Sequence, residues 1–138
     1  MSNPCTGNSW RSIAWGGPAG EEKFVAVASS GDEPRVMTST DGATWEFGTN
    51  VPEGSWQSVS WGGPAGSELF VVVGGSVMTS PDGVTWTIAP LGSIPDGGWM
   101  SVAYGGPAGS ELFAAVADEA DDGLYVMTSY TGIGVVPV

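Results

Sequence analysis

Apolar runs of about five residues alternate with clusters of Gly, Pro, Asp and Ser along nearly the whole chain. Runs this short, rich in β-branched and aromatic residues and broken by turn formers, predict strands and no helices. The pattern also repeats. Trp10-Arg-Ser-Ile-Ala-Trp15-Gly-Gly-Pro-Ala-Gly returns from Trp56 and again from Trp99, at spacings of 46 and 43 residues. In every copy a Phe stands 14 residues after the leading Trp (Phe24, Phe70 and Phe113), and a Val-Met-Thr-Ser tetrapeptide begins later at Val36, Val77 or Val126.

Each repeat divides into four strand candidates. In the first, strict alternation places Trp10, Ser12 and Ala14 on one face and Ile13 and Trp15 on the other. Gly-Gly-Pro-Ala-Gly then predicts a tight turn, since its glycines accept positive φ and its proline offers no amide to a ladder. The second strand, residues 24–28, 70–74 and 113–117, is apolar on both faces, as a strand covered from both sides would be. The third and fourth strands flank Ser39-Thr-Asp41-Gly-Ala-Thr-Trp45 and Ser80-Pro-Asp82-Gly-Val-Thr-Trp86. Asp-Gly between two strand-like runs predicts a type I′ hairpin, with Asp41 and Asp82 bonding turn amides and Trp45 and Trp86 capping the hairpins.

A strand-rich period of this length is that of one four-stranded propeller-type blade. The expected organisation is a leader over residues 1–9 and a single repeat domain over 10–138, divided at 10–55, 56–98 and 99–138. The expected fold is all-β, with three tandem four-stranded blades. Three are too few for a ring, which typically takes four to eight, so completion by oligomerisation follows. A β-trefoil, which also has three repeats of four strands and closes as a monomer, is the alternative.

The hairpin sequences resemble a one-residue-shortened Asp box, the hairpin of sialidase-like β-propellers. The larger repeat is similar to blade repeats of bacterial surface proteins and phage virion proteins. The likeness runs from Trp10 to Val135. The third copy departs from it, with Thr131 where Asp stood and Val135 where Trp stood. The resemblance implies a blade type and a structural use of the hairpins. In the sialidases it also implies three arginines on the substrate carboxylate; this chain has Arg11 and Arg35 alone, both in the first repeat. Nor does any motif align with that family's nucleophilic Tyr and its acidic partner.

Composition narrows function further. Fifteen acids against Arg11, Lys23 and Arg35 leave a net charge of −12, so neither nucleic acid nor an anionic membrane surface is an expected partner. Histidine is absent, which removes the usual general base and the commonest metal ligand. The single Cys5 can form no internal disulfide, and without His it builds no nucleophile. The acidic run Asp118–Asp122 lacks the alternating ligands of a calcium loop and reads as a polar loop. Glu22, Glu68 and Glu111 recur after each turn and read as solvated positions. No metal, cofactor or catalytic group is expected.

The aromatics Trp15, Trp61 and Tyr104 beside the turns are the candidate ligand-binding residues, against the simpler reading that recurrence reflects packing. The first residues carry no basic or long apolar stretch, so neither a signal peptide nor a transmembrane segment is expected. Together these point to a non-catalytic structural or adhesive protein, assembled in a host cytoplasm as a virion surface or decoration component. Its partners would be further copies of itself, or a larger assembly such as a viral particle, or a glycan. The alternative is a secreted lectin or a relative of sialidase-like glycoside hydrolases. The apolar end at Val135, Val136 and Val138 is expected to meet a second copy or a host particle.

Overall fold

The computed structural model describes residues 7–89, 98–119, 126–129 and 136–137. It is all-β, and no described residue lies in a helix, so none is long and apolar enough to cross a membrane. The described residues form three antiparallel four-stranded sheets, each an up-and-down run of consecutive strands. The first holds β1 (Trp10–Gly16), β2 (Lys23–Ala28), β3 (Val36–Ser39) and β4 (Glu46–Phe47). The second holds β5 (Trp56–Gly62), β6 (Leu69–Gly74), β7 (Val77–Ser80) and β8 (Thr87–Ile88). The third holds β9 (Gly98–Gly105), β10 (Leu112–Glu119), β11 (Val126–Ser129) and β12 (Val136–Pro137). Every ladder stays within its own repeat, and the register recurs: Trp15 faces Phe24, Trp61 faces Phe70, and Tyr104 faces Phe113.

The sheets stack in chain order, with β1 against β5 and β5 against β9. Two apolar cores result. Val25, Val27 and Val36 of the first sheet meet Trp56, Val59, Phe70, Val72 and Met78 of the second. Val71, Val73 and Val77 of the second then meet Trp99, Val102, Phe113, Ala115 and Met127 of the third. Alternation along β6 therefore feeds both cores at once, which is why Phe70 to Val73 are all buried. Each such side chain contributes about 1.5–3 kcal/mol by leaving water. The expectation of cover on both faces is met by this middle strand. It fails for β10, where Val116 is 48% exposed against 1% for the equivalent Val73.

Two local expectations are corrected. A bulge in the first strand of each sheet, at Arg11, Gln57 and Met100, adds a residue between the leading Trp and the Ser. It moves Trp10, Trp56 and Trp99 off the face of the following Ser and onto that of Ile13, Val59 and Val102, where Trp56 and Trp99 are buried in the cores. Strict period-two reading cannot see an inserted residue. The Asp-Gly hairpins are not type I′ turns either. Within each hairpin the glycine alone, Gly42 or Gly83, takes positive φ (78° and 79°), and the connections run over the six residues 40–45 and 81–86.

Candidate functional site

The two complete hairpins are built around one carboxylate oxygen each. Asp41 Oδ1 accepts the amides of Ala43 and Thr44 at 2.8 Å and the Ser39 hydroxyl at 3.0 Å. Ser39 Oγ in turn accepts the amides of Gly42 at 2.8 Å and Asp41 at 3.3 Å. The second hairpin repeats this: Asp82 Oδ1 accepts from Val84 at 2.8 Å, Thr85 at 2.9 Å and Ser80 Oγ at 3.1 Å. The Thr44 and Ala43 amides, with the Ser39 hydroxyl, hold the Asp41 carboxyl down to about 2. Burial pushes Asp82 up, but the Thr85 and Val84 amides, the Ser80 hydroxyl and the Lys23 ammonium outweigh it and keep that carboxyl lowered. Both groups are ionised acceptors, and in each it is Oδ1 that takes the two amides and the hydroxyl. Trp45 closes its hairpin by donating Nε1–H to Gly42 O at 3.2 Å, and Trp45 and Trp86 lean on Phe24 and Phe70 at 6.2 and 6.5 Å between ring centroids.

The remaining recurrent acids are also occupied. Glu22, Glu68 and Glu111 each accept the amide two residues back, of Gly20, Gly66 and Gly109, at 2.7–2.9 Å. They clamp the Gly-Gly-Pro-Ala-Gly turn, which closes on itself through amides donated to Pro18, Pro64 and Pro107 carbonyls at 2.8 Å. They are turn clamps, where the sequence suggested merely solvated positions. Among the cations, Arg35 donates to the carbonyls of Gly31 and Gly54 and sits 3.4 Å from Glu33, while Arg11 donates to Ser29 Oγ at 3.1 Å. Both therefore tie down the connection between β2 and β3, Arg11 through Ser29 and Arg35 through Gly31, and Arg35 also reaches Gly54 before β5. Among the described residues no three acids, cysteines or histidines gather where they could hold a metal ion. Cys5 and most of the acidic run, residues 120–122, lie outside the described residues, as do Thr131, Val135 and Val138. Val136 pairs with Thr128 in β12.

The aromatic row occupies one repeated position. Trp15, Trp61 and Tyr104 pack on Phe24, Phe70 and Phe113 of their own sheets at 4.7, 4.7 and 4.8 Å. Trp61 and Tyr104 also lie over glycines of the preceding sheet: a Cβ added at Gly16 would come within 2.2 Å of Trp61, and one at Gly62 within 2.2 Å of Tyr104. The absence of a side chain lets each ring approach the backbone. Among the described residues no sheet precedes that of Trp15, which is 48% exposed. An open cleft of about 410 Å³ runs along Trp61, lined also by Pro18, Glu68 and Pro81. A second of about 430 Å³ lies beside the first hairpin, against Lys23, Asp41, Thr44 and Val84.

Sequence reasoning missed the residues that join the sheets. Ser12 Oγ accepts the amide of Val59 at 3.2 Å, and Ser58 Oγ accepts that of Val102 at 3.2 Å. The signal was present in the strict recurrence of Ser and Gly at the third and seventh positions of the first strand. Comparison of the chain with protein families, with characterised proteins and with solved structures found no match.

Proposed function

We propose that this chain is a non-catalytic structural or adhesive protein made of three propeller-type blades that acts within a larger protein assembly. The observation that carries the reading is the use of its recurrent carboxylates. Asp41, Asp82, Glu22, Glu68 and Glu111 each commit one carboxylate oxygen to their own turn backbone, which supports a structural use of these recurrent acids. The two arginines bond loop groups of their own chain, which supports a structural use for them as well. Stacked sheets whose ladders never leave their own repeat favour blades over a trefoil, in which strands of different repeats pair. The likeness of the repeat to phage virion blades favours a virion surface or decoration role. Incubation with sialosides and aryl glycosides should give no turnover, and a rate abolished by one carboxylate substitution would overturn the catalytic part. Protein composition of particles purified from the source should include the chain; its absence from them would remove the virion setting.

Carbohydrate binding is a second reading, favoured by one observation: the cleft along Trp61, walled by Pro18 and Pro81, presents an aromatic edge beside an acceptor carboxylate. A glycan array compared between the native chain and Trp61→Ala tests it. Binding lost in the variant supports a lectin, and no binding by the native chain rejects it.

A further inference from the structure

The contact between neighbouring sheets is directional and has four parts. The leading face of one sheet offers a serine hydroxyl (Ser12, then Ser58) and a bare glycine (Gly16, then Gly62). The trailing face of the next sheet offers a β-branched residue whose amide donates to that hydroxyl (Val59, then Val102) and an aromatic ring that covers that glycine (Trp61, then Tyr104). The contact is made twice in the chain, in the same geometry. Both halves are then left over, one at each end of the stack. On the leading face of the third sheet, Ser101, Ala103 and Gly105 are exposed, and a Cβ added at Gly105 would meet nothing within 4 Å. On the trailing face of the first sheet, Ile13 is 56% exposed and Trp15 48%, whereas Val59 and Val102 at the position of Ile13 are 5% and 7% exposed.

We infer that these two ends fit each other between molecules: the Ser101–Gly105 face of one copy takes the Ile13–Trp15 face of a second copy. Ser101 Oγ would accept the Ile13 amide, and Trp15 would lie over Gly105. The chain itself argues for the occupant, because the Val59–Trp61 face that covers Ser12 and Gly16 has its equivalent in the Ile13–Trp15 face that the first sheet still presents. The pairing is head to tail. Such contacts give a ring if the rotation closes and a filament if it does not. Two copies make six sheets, the one multiple of three inside the usual range of four to eight for a closed ring, so the inferred species is a two-copy ring. The residues that would meet are uncharged, and at 0.15 M salt the Debye length of about 8 Å screens much of the repulsion between two chains of charge −12.

The inference rests on the blade reading above, so the test separates the two. Light scattering at 0.15 M salt should give twice the chain mass of 14.0 kDa. Gly105→Leu places a side chain in open space within one chain but under Trp15 of the next, so it should give the single-chain mass with an unchanged far-UV spectrum. Ile13→Asp should do the same from the other end. Mixing these two variants restores one good contact, intact Ile13 and Trp15 from the first with intact Ser101 and Gly105 from the second, and should recover pairs at high concentration. Gly62→Leu is the internal control, since its side chain would strike Tyr104 of the same molecule and should lower the melting temperature. If Gly62→Leu melts like the native chain, the blade stacking is itself wrong. If Gly62→Leu is destabilised while the native chain is a single-copy species or a filament, or if the mixture does not pair, the two-copy head-to-tail ring is wrong and the blades stand.

Discussion

Asp41 and Asp82 show how one oxygen atom can hold a loop. Each Oδ1 takes two amides and a hydroxyl, donors that would otherwise face solvent in competing geometries. The Asp82 hairpin is the more buried of the two, with Gly83 and Ser80 packed inside. Asp82→Ala should therefore lose about 1 kcal/mol of stability, the net worth of a hydrogen bond to a charged group discounted for exposure. Asp41→Ala should also lower the melting temperature, by less. Denaturant titration of both variants checks the order, and equal, unchanged midpoints would mean that the hairpins hold without their carboxylates. The Asp41 carboxyl also sets a pH window. It is more acidic folded, at about 2, than at its ordinary value of 3.8, so its stabilising contribution is complete above that value and is lost as pH falls toward 2. Melting followed from pH 5 to pH 2 should decline less steeply in Asp41→Asn than in the native chain.

Within an element, the recurring Trp at the head of each sheet shows where the sequence was legible and where it was not. Its repetition announced a structural position, and the strand it opens was correctly placed. Its face was not, because the bulge at Arg11, Gln57 and Met100 leaves no mark in an alternation of apolar and polar residues. The same limit applied to the Asp-Gly hairpins, where the sequence foretold the Asp–amide bonds but the turn type depended on a six-residue path only the backbone reveals. The aromatic row was read as packing or ligand binding. Trp61 and Tyr104 serve the joints between sheets, while the equivalent Trp15 faces outward. Position in the stack, a property no single repeat carries, separates them. Trp56→Ala should cost about 3–5 kcal/mol, the usual loss for a fully buried aromatic. That is a large part of the stability of a domain this size. Ile13→Ala, at the open trailing face, should cost a single-copy species little. Paired thermal melts of the two variants in the Gly105→Leu background check this, and comparable losses would mean that the first sheet is covered by something other than a second copy.

Across the whole molecule the stack behaves as a short one-dimensional array, in which each sheet is stabilised by itself and by its neighbours. The middle sheet has a neighbour on each side and supplies Phe70 and Val72 to one core and Val71 and Val73 to the other. The end sheets have one neighbour each within the chain, and the third keeps Val116 facing out. Local opening free energy follows such differences in cover, so protection against hydrogen exchange should be graded. In the single-copy Gly105→Leu variant, the amides of β6 should exchange slowest and those of β1 and β9 markedly faster. In the native chain a second copy would supply the missing neighbour at both ends, and β1 and β9 should gain protection while β6 changes least. Exchange followed by mass spectrometry on both proteins distinguishes this from a general stabilisation, which would slow all three strands together. Equal protection of β1, β6 and β9 in the single-copy variant would show that the ends need no neighbour, and the physical case for head-to-tail pairing would be gone.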